Sequence, residues 1–225
     1  MYKAPVDDIT FTLKHVVGLS KAMQEGQTGD LTEDVLDAII AEAARFADGV
    51  LVPVADKGDT QGSKLVDGKV VTPAGWAETY RDWAEGGWNS LTAPEAFGGQ
   101  GLPQSLLVAT LEMWNGASMA FALAPTLTIG AIEAIHAHAS EDLKAKYLPK
   151  MISGEWTGSM NLTEPHSGSD LGVMKSRAER RDDGTYRIFG QKIYITYGEH
   201  DYTENIIHLV LARLPDAPAG SRGIS

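Results

Sequence analysis

The sequence predicts an α+β chain in which an N-terminal all-α domain is followed by an antiparallel β-domain, incomplete within the residues present. Three observations carry this. Up to Ile152, apolar residues recur three or four apart in long segments. Beyond Gly154, Gly, Ser and Thr increase and the apolar pattern shortens to every second residue. Asp182-Asp183-Gly184 lies between two such alternating segments, which is a strong hairpin signal. The boundary falls at 155/156, with 1–155 helical and 156–225 the β-domain.

Taken in order, Leu36, Ile39, Ile40, Ala43, Phe46, Ala47 and Val50 mark one face of an amphipathic helix. Asp30 with Glu33, or Thr32, caps its start, and Gly49 with Pro53 is expected to close it. The polar stretch 54–75 follows, with Asp67-Gly68 as the turn of a small hairpin between 64–66 and 69–71. Residues 76–85 predict a short helix ended by Gly86-Gly87. The stretches 106–114, 119–139 and 141–152 continue the helical pattern, and Ser140 is placed to cap the last ahead of Glu141 and Asp142. Strands are expected over 176–181, 185–196 and 205–213.

Composition narrows the functional classes. The chain has 225 residues, 43% of them hydrophobic and 22% charged, enough for a core without staples. It has no cysteine, so disulfides, cysteine-bound metals and thiol nucleophiles are excluded. A formal charge of −11 argues against nucleic acid, which demands a basic face. The first residues lack an apolar signal core, and the longest apolar stretch, 119–135, is interrupted by Pro125, Thr126, Thr128, Gly130 and Glu133. A buried helix explains that stretch better than a membrane span, and a cytoplasmic location is expected.

Two motifs carry the chemistry. Met160-Asn161-Leu162-Thr163 runs into the turn Glu164-Pro165-His166-Ser167-Gly168-Ser169-Asp170, which is rich in backbone donors and hydroxyls. Lys192-Ile193-Tyr194-Ile195-Thr196-Tyr197-Gly198 follows across the Asp-Gly hairpin, and on a strand it would turn Lys192, Tyr194 and Thr196 to one side. The pair resembles the flavin-binding signatures of the acyl-CoA dehydrogenase family. The stretch from Trp88 through Pro94, Gly98-Gly99 and Gly101 to Pro103 resembles the same family's helical domain, and reads as a chain-reversing loop rather than a dinucleotide fingerprint. Tyr2-Lys3-Ala4-Pro5, with Asp8, Phe11 and Leu13, resembles an N-terminal extension (1–30) of the bacterial long-chain and 3-(methylthio)propanoyl-CoA dehydrogenase subgroup. His166-Ser167 leans the same way. The resemblance covers essentially the whole chain.

It implies FAD as cofactor, acyl-CoA as substrate and electron-transferring flavoprotein as electron acceptor, in a homo-oligomer (dimer or tetramer) of the full-length protein. The reaction implied is α,β-dehydrogenation to trans-2-enoyl-CoA, in which a carboxylate removes the α-proton and the β-hydrogen leaves as hydride to the flavin. Flavin contacts are carried over to Met160, Leu162, Thr163, Gly168, Ser169, Tyr194 and Thr196, with Ser169 also facing the acyl-CoA. The family's base is a glutamate in a C-terminal helical bundle, expected to lie outside these residues, so no catalytic residue is assigned to Glu164, Glu199 or any other. The polypeptide alone is expected to be inactive and to bind FAD weakly or not at all.

Two alternatives stand beside this: an acyl-CoA oxidase, or a non-catalytic module that binds acyl-CoA or a partner. Other constellations are decoys. His166, Ser167 and Asp170 crowd one turn without a nucleophile elbow. His136 and His138, two apart on a helix, point in different directions. Glu199-His200-Asp201 reads as a solvated turn, and Met113, Trp114, Met119 and Phe121 as core.

Overall fold

A computed structural model describes residues 2–225. The chain opens with α1 (Val6–Phe11), a π-helical turn (Thr12–Val16) and α2 (Leu19–Gln24). This segment is pinned to the body at several points. The Ala4 N–H donates to Asp48 Oδ1 (2.9 Å), and Lys14 Nζ meets Asp37 (2.7 Å) and Glu33 (3.7 Å). The Tyr2 ring lies so close to Gly116 that a Cβ there would sit 2.6 Å from it.

α3 (Glu33–Phe46) starts where Thr32 Oγ1 accepts the Val35 N–H, and it buries Leu36, Ile40, Ala43, Ala44 and Phe46. Gly49 and Pro53 do not close it. The helix widens into a π turn (Ala47–Leu51) and continues as α4 (Val52–Gln61). Pro53 lies inside this continuous run and removes one N–H from it, directly after the π turn, where the regular i→i−4 ladder is already interrupted. β1 (Lys64–Val66) and β2 (Lys69–Val71) form the expected hairpin, with Asp67 (φ 50°) and Gly68 (φ 80°) as its turn.

α5 (Trp76–Glu85) ends at Gly86-Gly87 and buries Trp76, Thr79, Tyr80 and Trp83. The loop to residue 103 doubles back on itself: Gln100 N–H reaches Ser90 O, Gly101 N–H reaches Ala93 O and Leu102 N–H reaches Leu91 O. The two helices expected next run on from one another as α6 (Gln104–His138), with the break between them at buried Ser118, whose backbone is non-helical (φ −159°, ψ 86°). α6 is long and apolar enough to cross a bilayer by length and composition, yet 56% of its most apolar window is buried in the protein. α7 (Glu141–Ile152) follows, although Ser140 makes no side-chain cap bond. Trp83, Trp88, Trp114, Phe46 and Phe121 pack edge to face between α3, α5 and α6, with the Trp83 and Trp114 rings 4.3 Å apart.

The β-region contains β3 (Thr157–Asn161), β4 (Arg177–Arg180), β5 (Tyr186–Phe189) and β6 (Ile206–Val210). β4 and β5 are antiparallel around Asp182-Asp183-Gly184, as expected. β3 and β6 pair in parallel, Thr157 opposite Ile206 through Asn161 opposite Val210. The intervening chain crosses over rather than folding straight back, so the sheet expected to be antiparallel has a parallel pair against α6. β3 was not foreseen as a separate strand. Its buried Thr157, Gly158 and Ser159 are small residues that let it lie close on the helix, and the Gly158 N–H is taken by Thr128 Oγ1.

Candidate functional site

The two motifs meet. Glu164 opens a tight turn in which its N–H bonds Ser167 O (2.7 Å) and its C=O accepts the Ser167 N–H (3.1 Å). Its carboxylate, 2% exposed, accepts the N–H groups of Lys175 (2.8 Å) and Ser176 (2.9 Å) and the ammonium of Lys192 (3.0 Å). Burial alone would raise its pKa. The hydrogen bonds from Ser176, Lys175 and Lys192 outweigh burial and hold it at about 2. Lys192 also donates to Leu162 O (2.9 Å), Ile193 N–H to Thr163 O (2.9 Å) and Ser159 Oγ to Thr196 O (3.0 Å). The second motif is thus laced to the end of β3 and the turn after it by side chain and backbone alike.

It is not a strand. β5 ends at Phe189 because Gly190 has φ 148° and Ser176 packs against it, where a Cβ would come within 2.1 Å of Ser176 Oγ. Beyond it, Tyr194 (φ 56°) and Tyr197 (φ 50°) adopt left-handed backbone, so the strand expected over 185–196 stops at 189. The alternation that placed Lys192, Tyr194 and Thr196 on one side does not apply: Lys192 turns in to Glu164, while Tyr194 is 88% exposed.

The backbone at the end of β3 is open. Thr157 N–H bonds Asn205 O and Asn161 O accepts Leu211 N–H, so the odd-numbered residues face β6 and Gly158, Met160 and Leu162 face away. Among the described residues no group hydrogen-bonds the amides of Leu162 or Thr163. Both residues are half-buried. Gly168 lies against Thr163, 3.3 Å from its Cγ2 by the position of an added Cβ, and Ser169 is exposed. Ser167 Oγ donates to Asp170 O and Asp170 Oδ1 accepts the Gly172 N–H, which shapes the turn. The hydroxyls of Ser169 and Thr196 make no hydrogen bond among the described residues.

Two clefts flank the second motif. One, of about 440 Å³, is lined by Val70, Asn161, Lys192, Ile193, Tyr194 and Ile195 among others. The other, of about 320 Å³, lies between α4, the hairpin and α6, lined by Thr72, Pro73, Trp76, Ala120 and His200 among others.

His200 corrects the sequence reading. It is buried, not in a solvated turn. Its Nδ1 accepts the Tyr202 N–H, so Nε2 carries the proton and donates to Thr157 Oγ1 (3.0 Å). Thr157, Thr203 and Asn205 O continue the chain. Burial pushes the imidazole pKa down to about 4, so it is neutral at physiological pH. Its neighbour Asp201 accepts from Thr72 Oγ1 (2.6 Å) and the Thr72 N–H (3.3 Å). Tyr202 stacks on Tyr80 (5.1 Å) and donates to the Tyr197 hydroxyl, which donates to Ala120 O on α6. Burial raises the Tyr80 and Tyr197 pKa values to about 12. No local signal announced these roles, because Thr157, Thr72, Tyr80 and Ala120, which bury and tie these residues, are distant in sequence.

Residues 33–155 match the model for the acyl-CoA dehydrogenase N-terminal domain. The chain is 46% identical over 224 residues to a 3-methylmercaptopropionyl-CoA dehydrogenase of Ruegeria pomeroyi, covering 100% of this chain and 38% of that protein. It is 37% identical over 229 residues to a butyryl-CoA dehydrogenase of Syntrophomonas wolfei, covering 100% and 37%. Its fold superposes on butyryl-CoA dehydrogenase from Megasphaera elsdenii with a TM-score of 0.71 at 25% identity, over 87% of this chain and 48% of that one. The chain spans less than half the length of these relatives. It belongs to the acyl-CoA dehydrogenase family.

Proposed function

We propose that this chain provides the flavin-holding, acyl-CoA-facing part of an FAD-dependent acyl-CoA dehydrogenase that converts an acyl-CoA thioester to its trans-2-enoyl product. The observation that carries the reading is the lacing of the two motifs around unpaired amides of Leu162 and Thr163. The donor set suits FAD: open backbone N–H groups for the pyrimidine edge, an exposed aromatic face at Tyr194 and unpaired hydroxyls at Thr196 and Ser169. When bound, FAD supplies the acceptor for the hydride.

Met160, Leu162 and Thr163 hold the ring edge, Gly168 and Ser169 contact the phosphate and acyl-CoA region, and Tyr194 and Thr196 flank the ring. The Leu162 and Thr163 amides would supply hydrogen-bond donors to the negative charge that a bound flavin gains on reduction. Lys192 orients this frame through Leu162 O and Glu164. Glu164 is not a general base, since its lone pairs are engaged and its pKa of about 2 leaves it no tendency to take a proton near neutrality. No base is assigned within this chain. Electron-transferring flavoprotein as acceptor, a homo-oligomeric assembly, a cytoplasmic location and a division at 155/156 complete the proposal.

Amide hydrogen exchange, read residue by residue at saturating FAD in a protein that carries these residues within the full length of its relatives, tests it. The Leu162 and Thr163 amides should slow on adding FAD, and Tyr194→Ala should weaken the protection. FAD that binds without slowing either amide, or that fails to bind, overturns the reading.

A further inference from the structure

The β1–β2 hairpin is joined to the body of the protein by little besides its own ends. All three residues of β1 are exposed, and in β2 only Val70 is half-buried. Val70 is also the one hairpin side chain that lines both clefts beside the second motif. Tyr197 and Glu199 line both as well, so the second motif forms the divide and the hairpin closes over it. Leu65 stands directly opposite Val70 in the ladder and therefore shares its face. It is nevertheless 74% exposed, an apolar side chain on the cleft-facing side with little protein covering it. Val71, on the other face, points away.

A long-range clasp sets the position of this hairpin. Thr72, the residue after β2, donates both its hydroxyl (2.6 Å) and its N–H (3.3 Å) to Asp201, 129 residues away. Asp201 adjoins His200 and Tyr202, which are buried and tied to Thr157 and Tyr197. The clasp thus fixes the hairpin to the segment that follows the second motif. The cleft under it combines apolar Val70, Pro73, Trp76 and Ala120 with polar Thr72 and Glu199 in its lining.

We propose, resting on the flavin reading above, that the β1–β2 hairpin is a specificity wall for the acyl group. Val70 and Leu65 contact the acyl chain, and the Thr72–Asp201 clasp is the positioning pair that holds the wall at its distance from the second motif. A long apolar chain covers Leu65 and Val70 together, whereas a short one ends before reaching them.

Calorimetric titration of butyryl-CoA and dodecanoyl-CoA into the same full-length protein in excess FAD tests this, with exchange of the Leu162 and Thr163 amides followed in the same samples. Val70→Phe should weaken dodecanoyl-CoA about tenfold or more relative to butyryl-CoA. Val71→Phe, on the opposite face, should leave the ratio unchanged. Thr72→Val should speed amide exchange over 69–71 and blunt discrimination between the two thioesters, and Thr72→Ser should restore both. Discrimination that is unmoved by Val70→Phe, or moved equally by Val71→Phe, overturns the wall while leaving the flavin site intact. Wild-type protein whose Leu162 and Thr163 amides ignore FAD refutes the flavin reading, and the wall with it.

Discussion

Replacing Glu164 by Gln removes the charge at the centre of the joint between the two motifs. At about 1.4 kcal/mol per tenfold change in proton affinity, a carboxyl held at about 2 rather than the ordinary 4.5 contributes about 3 kcal/mol. The variant also leaves Lys192, 9% exposed, facing a neutral amide, a loss of the same size as breaking any buried pair from one side, about 3 kcal/mol or more. The two views describe one interaction and are not summed. The sign follows from proton counting. Between pH 4.5 and 2 the unfolded chain binds a proton that the native carboxylate does not. The stabilisation is therefore complete above 4.5 and lost as pH falls toward 2. Urea unfolding of wild type and variant across this range should show a gap of about 3 kcal/mol near neutrality that closes on acidification. Lys192→Met should cost less, because Glu164 keeps its two amide donors. A gap below about 1 kcal/mol at neutral pH, or one that persists at the acid end, refutes the assigned electrostatics.

Buried His200, at about 4 against an ordinary 6.5, is the reverse case of a base. The native state refuses a proton that the unfolded chain takes, so up to about 3 kcal/mol is lost as pH falls from 6.5 to 4. His200→Gln should flatten that part of the stability profile. Trp114 is fully buried, packs on Trp83 and Trp88 and donates Nε1 to Ala43 O, so Trp114→Ala should cost about 3–5 kcal/mol by thermal or urea unfolding. Gly190→Ala meets both φ 148° and the backbone and side chain of Ser176. It should destabilise by at least about 2 kcal/mol and displace the second motif, read as faster exchange of the Ile193 amide.

Where every determinant is local, sequence and structure agree to the residue. α5 spans 76–85 and α7 spans 141–152, as their periodicity, glycines and first-turn acids indicate. Asp67-Gly68 and Asp182-Asp183-Gly184 turn the chain where they should. Agreement ends where distant residues decide. Gly49 and Pro53 carry the letters of a helix stop, but a π turn absorbs them. The period-2 pattern around Tyr194 is genuine in composition and false in geometry, because Ser176, fourteen positions back, ends β5 at Gly190. The burial of His200 depends on Thr157, 43 residues away, and so could not be read from its own neighbourhood. The candidate site was legible as two motifs, whereas the ion pair that joins them was not, because Glu164 and Lys192 are 28 residues apart.

The conformation of the second motif itself argues that it is built for a ligand rather than for packing. Left-handed backbone at two tyrosines costs on the order of 1 kcal/mol or more each. A folding chain does not keep such conformations unless neighbouring contacts enforce them. The enforcing contacts run from Ile193 to Thr163 O, Thr196 O to Ser159, Tyr197 to Ala120 O, and Lys192 to Glu164. They fix the residues on both sides of Tyr194 and leave Tyr194 itself projecting, 88% exposed. An aromatic ring held out in water by a strained, heavily anchored backbone gains nothing for the core. On the function proposed above, it would be in place before the flavin ring arrives, so that the cost of ordering it is met during folding rather than at binding.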